Sequence, residues 1–256
     1  MIRDSLILAK RSITKMFRNP EQFIDVTLQP IIMTVLFVFI FGGAIAGSTG
    51  QYVEFALPGI IVQTIMFTSL TIGVNLNTDI QKGVFDRFRS LPISRSAPLL
   101  GAVAGDIVRH AIAISVTLIF AAIIGFRVGT PWFSVLGGVG LLILFAVSLC
   151  WVSVLIGMLA RSAGAVQGLS LLIVFPLTFG SSTFVAADTL PDWMQGWVSI
   201  NPVTHVIEAM RGLISGTQYM SDPTALGSEI LWVLAACVAL VAVFFPLATW
   251  AYRRKI

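Results

Sequence analysis

Two groups of residues in this 256-residue chain have types and spacings that could do chemistry. The first is KGVFDRFRSLPISRSAPLLG, residues 82–101, which gathers Lys82, Asp86, Arg87, Arg89 and Arg95 in a chain that is only 11% charged. Such a cluster suits electrostatic contact with a partner surface. The second is a row of hydroxyl and amide side chains, Thr64, Thr68, Thr71, Asn75 and Thr78, spaced i, i+4, i+7, i+11 and i+14 so that one helical face carries them all. A shorter face of aromatic and hydroxyl groups follows from Phe175, Thr178, Phe179 and Ser182. Polar stripes either glue helices together or line a cavity, and spacing leaves both readings open.

Other chemistries find little footing. There is no Gly-Lys dipeptide, so the chain lacks a phosphate-binding loop of the form G-x-x-x-x-G-K-[S/T]. His110 and His205 fall on opposite sides of the topology derived below and read as hydrogen-bonded structural histidines that cannot share a metal. The twelve carboxylates lie in connections or near the ends of apolar runs, with Asp25, Asp79, Asp106 and Glu229 at such ends. That distribution argues against ion coupling and leaves no catalytic residue and no metal ligand to assign. Cys150 and Cys237 each sit inside an apolar run and read as small hydrophobes.

The elements that must position these residues are membrane helices. The chain is 57% hydrophobic with a mean hydropathy of +0.93, beyond what a soluble domain carries. The expected fold class is an all-α polytopic membrane protein, one domain over residues 1–256, with six transmembrane helices at about 23–46, 55–76, 105–126, 133–159, 165–187 and 229–250. The first 18 residues are too evenly charged for a cleavable signal peptide, so the first span is expected to serve as its own insertion signal. They form an expected amphipathic interfacial helix over residues 1–20. Ile2, Leu6, Ala9, Ile13, Met16 and Phe17 share one face, Arg3, Arg11, Lys15 and Arg18 the other, and Ile7 and Leu8 are off pattern.

Fourteen of the sixteen Lys and Arg fall in the N-terminal segment, the second and fourth connections, the start of the third span and the C-terminus; Arg127 and Arg211 are the exceptions. The positive-inside bias then places both termini and residues 82–101 in the cytoplasm and the fifth connection outside. In that external connection Trp193 and Trp197 are spaced for an interface, Asn201-Pro202 starts a short helical pattern, and Glu208 and Arg211 are placed i, i+3 for an ion pair. On the cytoplasmic side a short helix from Asp79 would carry Val84, Phe85, Phe88 and Leu91 on one side and Lys82, Asp86, Arg87 and Arg89 on the other, with Pro92 ending it.

The text GVFDRFRSLPISR after the second span, GMLARSAGAVQG at the fourth connection and LPDWMQGWVSINPVTHVIEAMRGL before the last span resemble the membrane subunits of ABC type-2 exporter permeases, specifically the daunorubicin-resistance type. The resemblance implies a permease subunit with no enzymatic activity of its own. Two copies of a separate ATP-binding subunit would hold the ATP and Mg, and this chain would pair as a homodimer or heterodimer in the bacterial cytoplasmic membrane, in contact with lipids and without nucleic acid. It further implies that Lys82, Val84, Phe85, Asp86, Arg87, Phe88, Arg89 and Leu91 belong to a coupling helix. Short external helices would carry Trp193, Trp197, Glu208 and Arg211, and Thr64, Thr68, Thr71, Asn75, Phe175, Thr178, Phe179 and Ser182 are candidates for the substrate pathway. The implied cargo is a hydrophobic drug, antibiotic or lipid-like molecule. A lipid-linked glycan, a polysaccharide, and a non-transporting anchor for a cytoplasmic ATPase are the alternatives.

Overall fold

The computed structural model describes residues 2–42, 49–85, 96–185 and 189–255, and every regular element among them is helical. Long apolar runs have this outcome because a helix satisfies its backbone groups internally, which hydrocarbon demands. Helix α1 is Ile2–Arg18, and α2 is Pro20–Val35, extended by a π-helical turn, Leu36–Phe41. Then come α3 (Thr49–Gln81), α4 (Ala97–Ile123), α5 (Trp132–Leu159) and α6 (Ala163–Phe179). Two short helices, α7 (Asp192–Ile200) and α8 (Pro202–Met210, continued by a π-helical Arg211–Ser215), precede α9 (Leu226–Lys255).

Among the described residues, five helices are long and apolar enough to cross a membrane: those over Pro20–Ile40, Tyr52–Gln81, Ala97–Ile123, Trp132–Leu159 and Leu226–Arg254. The span expected at 165–187 is shorter than its apolar run. Helix α6 stops at Phe179 because its last carbonyls are taken by side chains. Ser181 Oγ and Thr183 Oγ1 both donate to the Thr178 carbonyl, and Asn201 Nδ2 donates to the carbonyls of Leu177 and Gly180, each at 2.8 Å. The span expected from residue 105 instead starts at Ala97, with Pro98 in the first turn where a missing N–H costs nothing. Asp106 and Arg109 therefore lie well inside α4, both buried, and not at a span end as expected.

Helix α3 is the central element, packed against α4, α5, α6 and α8. Its apolar window is 78% buried, against 11% for α9, which borders α5 and α8 on one side only. Its crossing with α5 is close: a Cβ on Gly73 would stand 2.3 Å from the Ser153 carbonyl oxygen, and one on Gly157 would stand 2.5 Å from the Gly73 carbonyl oxygen. Small residues at such a point let two backbones touch.

Helix α1 docks on α4 at a close approach of the two backbones. Leu8, Ala9 and Ser12 lie over Gly101 and Gly105 of α4, and Ala9 and Met16 are buried, while Leu6, Ile7 and Phe17 are exposed. The expected single apolar face is thus divided: Ala9 and Met16 turn inward while Leu6 and Phe17 stay outside. The termini lie at one end of the bundle. There Lys15 Nζ reaches Asp79 Oδ1 of α3 at 2.9 Å with Arg11 3.8 Å from the other oxygen.

Candidate functional site

At the end of the bundle opposite the termini, sequence order places a proline after Asn201 for a physical reason. Asn201 Oδ1 accepts the Val203 N–H at 3.0 Å and caps α8, Pro202 fills the first helical position, and the Asn201 amide ties α8 to the end of α6. Helix α8 then delivers Glu208 and Arg211 into the interior. Arg211 is 0% exposed. Its guanidinium donates to the Phe55 carbonyl at 3.2 Å, to Ser182 Oγ at 3.3 Å, to the Ser182 carbonyl and to Glu208, and it stacks 3.8 Å over the Phe55 ring. Glu208 also accepts from Ser182 Oγ at 3.1 Å and from the Ser221 N–H and hydroxyl at 2.9 and 3.1 Å. The expected i, i+3 pair is present, and tertiary structure turns it from a local helix contact into a buried knot joining α3, the turn after α6, α8 and the loop before α9.

Beside the knot a cavity of about 850 Å³ is lined by Phe55, Val198, Thr204, His205, Tyr219 and Glu229 among others. His205 Nδ1 sits 2.7 Å from Glu229 Oε2, and its ring stacks on Trp232 at 5.2 Å. Trp193 and Trp197 are both exposed on α7.

The two candidate pathway stripes separate. On α3, Thr64 and Thr68 are buried, and Thr71, Asn75 and Thr78 are half-buried. Thr64 and Thr78 donate back to the carbonyls of Ile60 and Val74, each at 2.8 Å, which satisfies them within the helix. Asn75 accepts from Gln22 at 3.4 Å. The Phe175–Thr178–Phe179–Ser182 group is not one face. Thr178 is buried against Met66, and Ser182 leaves the helix for the Arg211 knot. Phe175 and Phe179 remain 46% and 47% exposed.

Those two rings belong to a longer aromatic row that spacing did not disclose. Phe67 of α3 meets Phe175 edge-on at 5.9 Å, Phe175 stacks on Phe179 at 5.4 Å, Phe179 lies 5.8 Å from Phe184, and Phe184 stacks on Phe37 at 3.9 Å. Three segments distant in sequence contribute, so no single periodicity could carry the signal.

At the termini end, α3 runs through the start of the expected helix and ends at Gln81. Gly83 takes φ of 66°, a left-handed conformation that closes α3, so a continuous helix from Asp79 through Leu91 is interrupted there. Lys82 is exposed and Val84 half-buried, but Phe85 is buried, its ring 5.7 Å from that of Tyr252 near the end of α9. Phe85 therefore does not present a free face as expected. Asp86, Arg87, Phe88, Arg89 and Leu91 lie outside the described residues.

Between these ends, α3, α4 and α5 enclose a polar cluster of Ser69, Asp106, Arg109, His110 and Cys150, all buried. Sequence reasoning separated its members because only Asp106, Arg109 and His110 share one helix, while Ser69 and Cys150 come from two others. Cys150 does not stand in a purely apolar setting, since its sulfur is 3.8 Å from Asp106 Oδ2.

Comparison with known proteins sets these features in a family. The ABC-2 type transporter family model matches residues 4–214. The chain is 40% identical over 236 residues to the daunorubicin resistance ABC transporter permease protein DrrB1 of Streptomyces coeruleorubidus, covering 92% of this chain and 81% of that one. It is 22% identical to the probable doxorubicin resistance ABC transporter permease protein DrrC of Mycobacterium tuberculosis, over 99% of this chain and 89% of the relative. The inner membrane transport permease YadH of Escherichia coli is 23% identical over 83% of this chain and 84% of its own length. A helical bundle with five membrane-length helices and a family match over most of its residues make this chain a multi-pass membrane protein that belongs to the ABC-2 type transporter family, as a permease subunit.

Proposed function

We propose that this permease forms the pathway by which an ATP-driven exporter moves flat, hydrophobic molecules out of the cell. The aromatic row Phe67–Phe175–Phe179–Phe184–Phe37 carries the reading, because its half-exposed rings offer stacking surface of the kind a polycyclic drug can use. The drug-resistance names of two relatives point to the same cargo class.

In this reading α6 is a sixth span, closed by the turn after Phe179, and both termini face the cytoplasm. The chain is a single membrane domain that hydrolyses nothing itself; ATP and Mg are held by two copies of a separate subunit, and two copies of this chain face each other across the pathway. Lys82 and the residues after it form the surface that the ATP-binding subunit drives. The burial of Phe85 on Tyr252 supports a direct mechanical link from that surface to α9. The short helices α7 and α8 close the far end of the pathway, and the Glu208–Arg211 knot holds α8 in place.

Reconstitution of the chain with its ATP-binding subunit into vesicles, with daunorubicin as the probe, tests this. ATP-dependent flux and probe-stimulated ATP hydrolysis are expected. Phe175→Ala should raise the half-saturating probe concentration about 2- to 10-fold, the equivalent of one lost stacking contact of roughly 0.5–1.5 kcal/mol. ATP hydrolysis indifferent to hydrophobic probes, with no flux, would assign the chain to a non-transporting anchor.

A further inference from the structure

Asp106 and His110 on α4 and Cys150 on α5 bring a carboxylate oxygen, a ring nitrogen and a thiol sulfur within 4.8 Å of one another, all three residues buried. His110 Nδ1 lies 3.9 Å and Cys150 Sγ 3.8 Å from the same oxygen, Asp106 Oδ2. Around a tetrahedral zinc ion with bonds of about 2.0–2.3 Å, neighbouring donors stand roughly 3.4–3.7 Å apart. We propose that this cluster is a binding site for a divalent transition-metal ion of the zinc class, with Asp106 Oδ2, His110 Nδ1 and Cys150 Sγ as ligands.

The hydrogen bonds around His110 supply the tautomer that such an ion needs. Without metal, Nδ1–H donates to the Asp106 carbonyl at 2.8 Å. Nε2 faces Ser69 Oγ at 2.9 Å, and that hydroxyl also lies 2.8 Å from the Ile65 carbonyl. With the serine hydrogen on Ile65, Ser69 accepts from Nε2–H, and Nδ1 carries a lone pair that a small turn of the ring, away from the Asp106 carbonyl, directs at the ion. Ser69 then orients the imidazole through its far nitrogen, as an outer partner of a metal-bound histidine does. Asp106 Oδ1 is held from the other side by Arg109, whose Nε is 3.4 Å away.

Charge decides which ions fit. Binding removes the Cys150 thiol proton to solvent, while the imidazole only moves its proton from Nδ1 to Nε2, so one proton leaves for each ion bound. The site gains a net positive charge beside Arg109, which disfavours Mg²⁺ and Ca²⁺; only an ion that bonds strongly to thiolate and imidazole offsets that repulsion. A cavity of about 50 Å³, lined by Gln22, Asn75, Asp79, Asp106 and Arg109, leads to the cluster from the termini end. A bound ion would pin α4 to α5 and, through Ser69, to α3, whatever the cargo.

The test is titration of chelator-stripped, full-length protein in detergent with Co²⁺, which reports a bound thiolate by a charge-transfer band and tetrahedral geometry by intense d–d bands. Both should saturate at one equivalent, disappear on adding Zn²⁺, and be indifferent to Mg²⁺. Cys150→Ser should abolish the charge-transfer band and Cys237→Ser should keep it, while Ser69→Ala should weaken binding about 10- to 100-fold. Folded wild-type protein that gives no charge-transfer band, or a band that persists in Cys150→Ser or is lost in Cys237→Ser, would overturn the site. Should Cys150→Ser fail to fold, the wild-type and Cys237→Ser titrations still decide.

Discussion

Asn201 and Arg211 each link segments that are far apart in sequence. Asn201 caps α8 with its oxygen and holds the carbonyls of Leu177 and Gly180, at the end of α6, with its nitrogen. Replacing it with Ala removes a cap and two hydrogen bonds, each contributing about 1 kcal/mol, so Asn201→Ala should destabilise the protein by roughly 2–3 kcal/mol, read as a lowered thermal midpoint in detergent. Arg211 is more demanding. Arg211→Met leaves Glu208 buried without its cation and should be destabilising by about 3–5 kcal/mol, whereas Arg211→Met with Glu208→Gln should recover part of the loss. If single and double variants unfold alike, the pair is not the source of the stability. At this scale the i, i+3 spacing of Glu208 and Arg211 was legible. The partners Phe55, Ser182 and Ser221 were not, because they come from three other segments.

Among the elements, the contacts that matter are made by the smallest side chains. The α3–α5 crossing has backbone against backbone at Gly73 and Gly157, so Gly157→Leu must push the helices apart, and loss of folded, monodisperse protein is expected. Helix α1 relies on the same device over Gly101 and Gly105, reinforced by Lys15 on Asp79. Lys15 is 41% exposed at its side chain, so exchanging the two charges (Lys15→Asp with Asp79→Lys) should change stability by less than about 1 kcal/mol, while Lys15→Asp alone, which brings two carboxylates together, should loosen α1 and speed its proteolysis. Protection of α1 unchanged in the single variant would show that the glycine contact alone holds it. Periodicity marked α1 as an amphipathic helix with one apolar face; only the packing against α4 reveals that Ala9 and Met16 of that face turn inward while Leu6 and Phe17 stay outside.

Across the whole molecule, burial is uneven. Helix α3 is enclosed, whereas α2, α6 and α9 turn large apolar side chains outward, among them Phe39, Leu172 and Val238. Lipid must cover much of that surface, and in the proposed homodimer a second copy covers part of it. Leu172, 71% exposed on α6, lies on the same helix as Phe175 and Phe179 of the aromatic row; Val238, 70% exposed, is on α9. A cysteine at Leu172 should therefore cross-link two copies in native membranes, and one at Val238 should not. Cross-linking at Val238 alone would place the interface on α9 and move the pathway away from the aromatic row.

By itself the sequence determined that this chain is helical and lives in lipid, where its long apolar runs lie, and which family it resembles. Hydropathy and short motifs are local properties, and hydrocarbon leaves the backbone few alternatives to the helix. Tertiary structure decided where α6 ends, how α1 docks, that Asp106 and Arg109 are interior, and which of the candidate residues meet. Those outcomes depend on carbonyls captured by Asn201, on glycines facing glycines, and on rings and donors gathered from helices far apart in sequence. Pairings between elements leave no period in either partner's sequence, so they become visible only once the helices are packed.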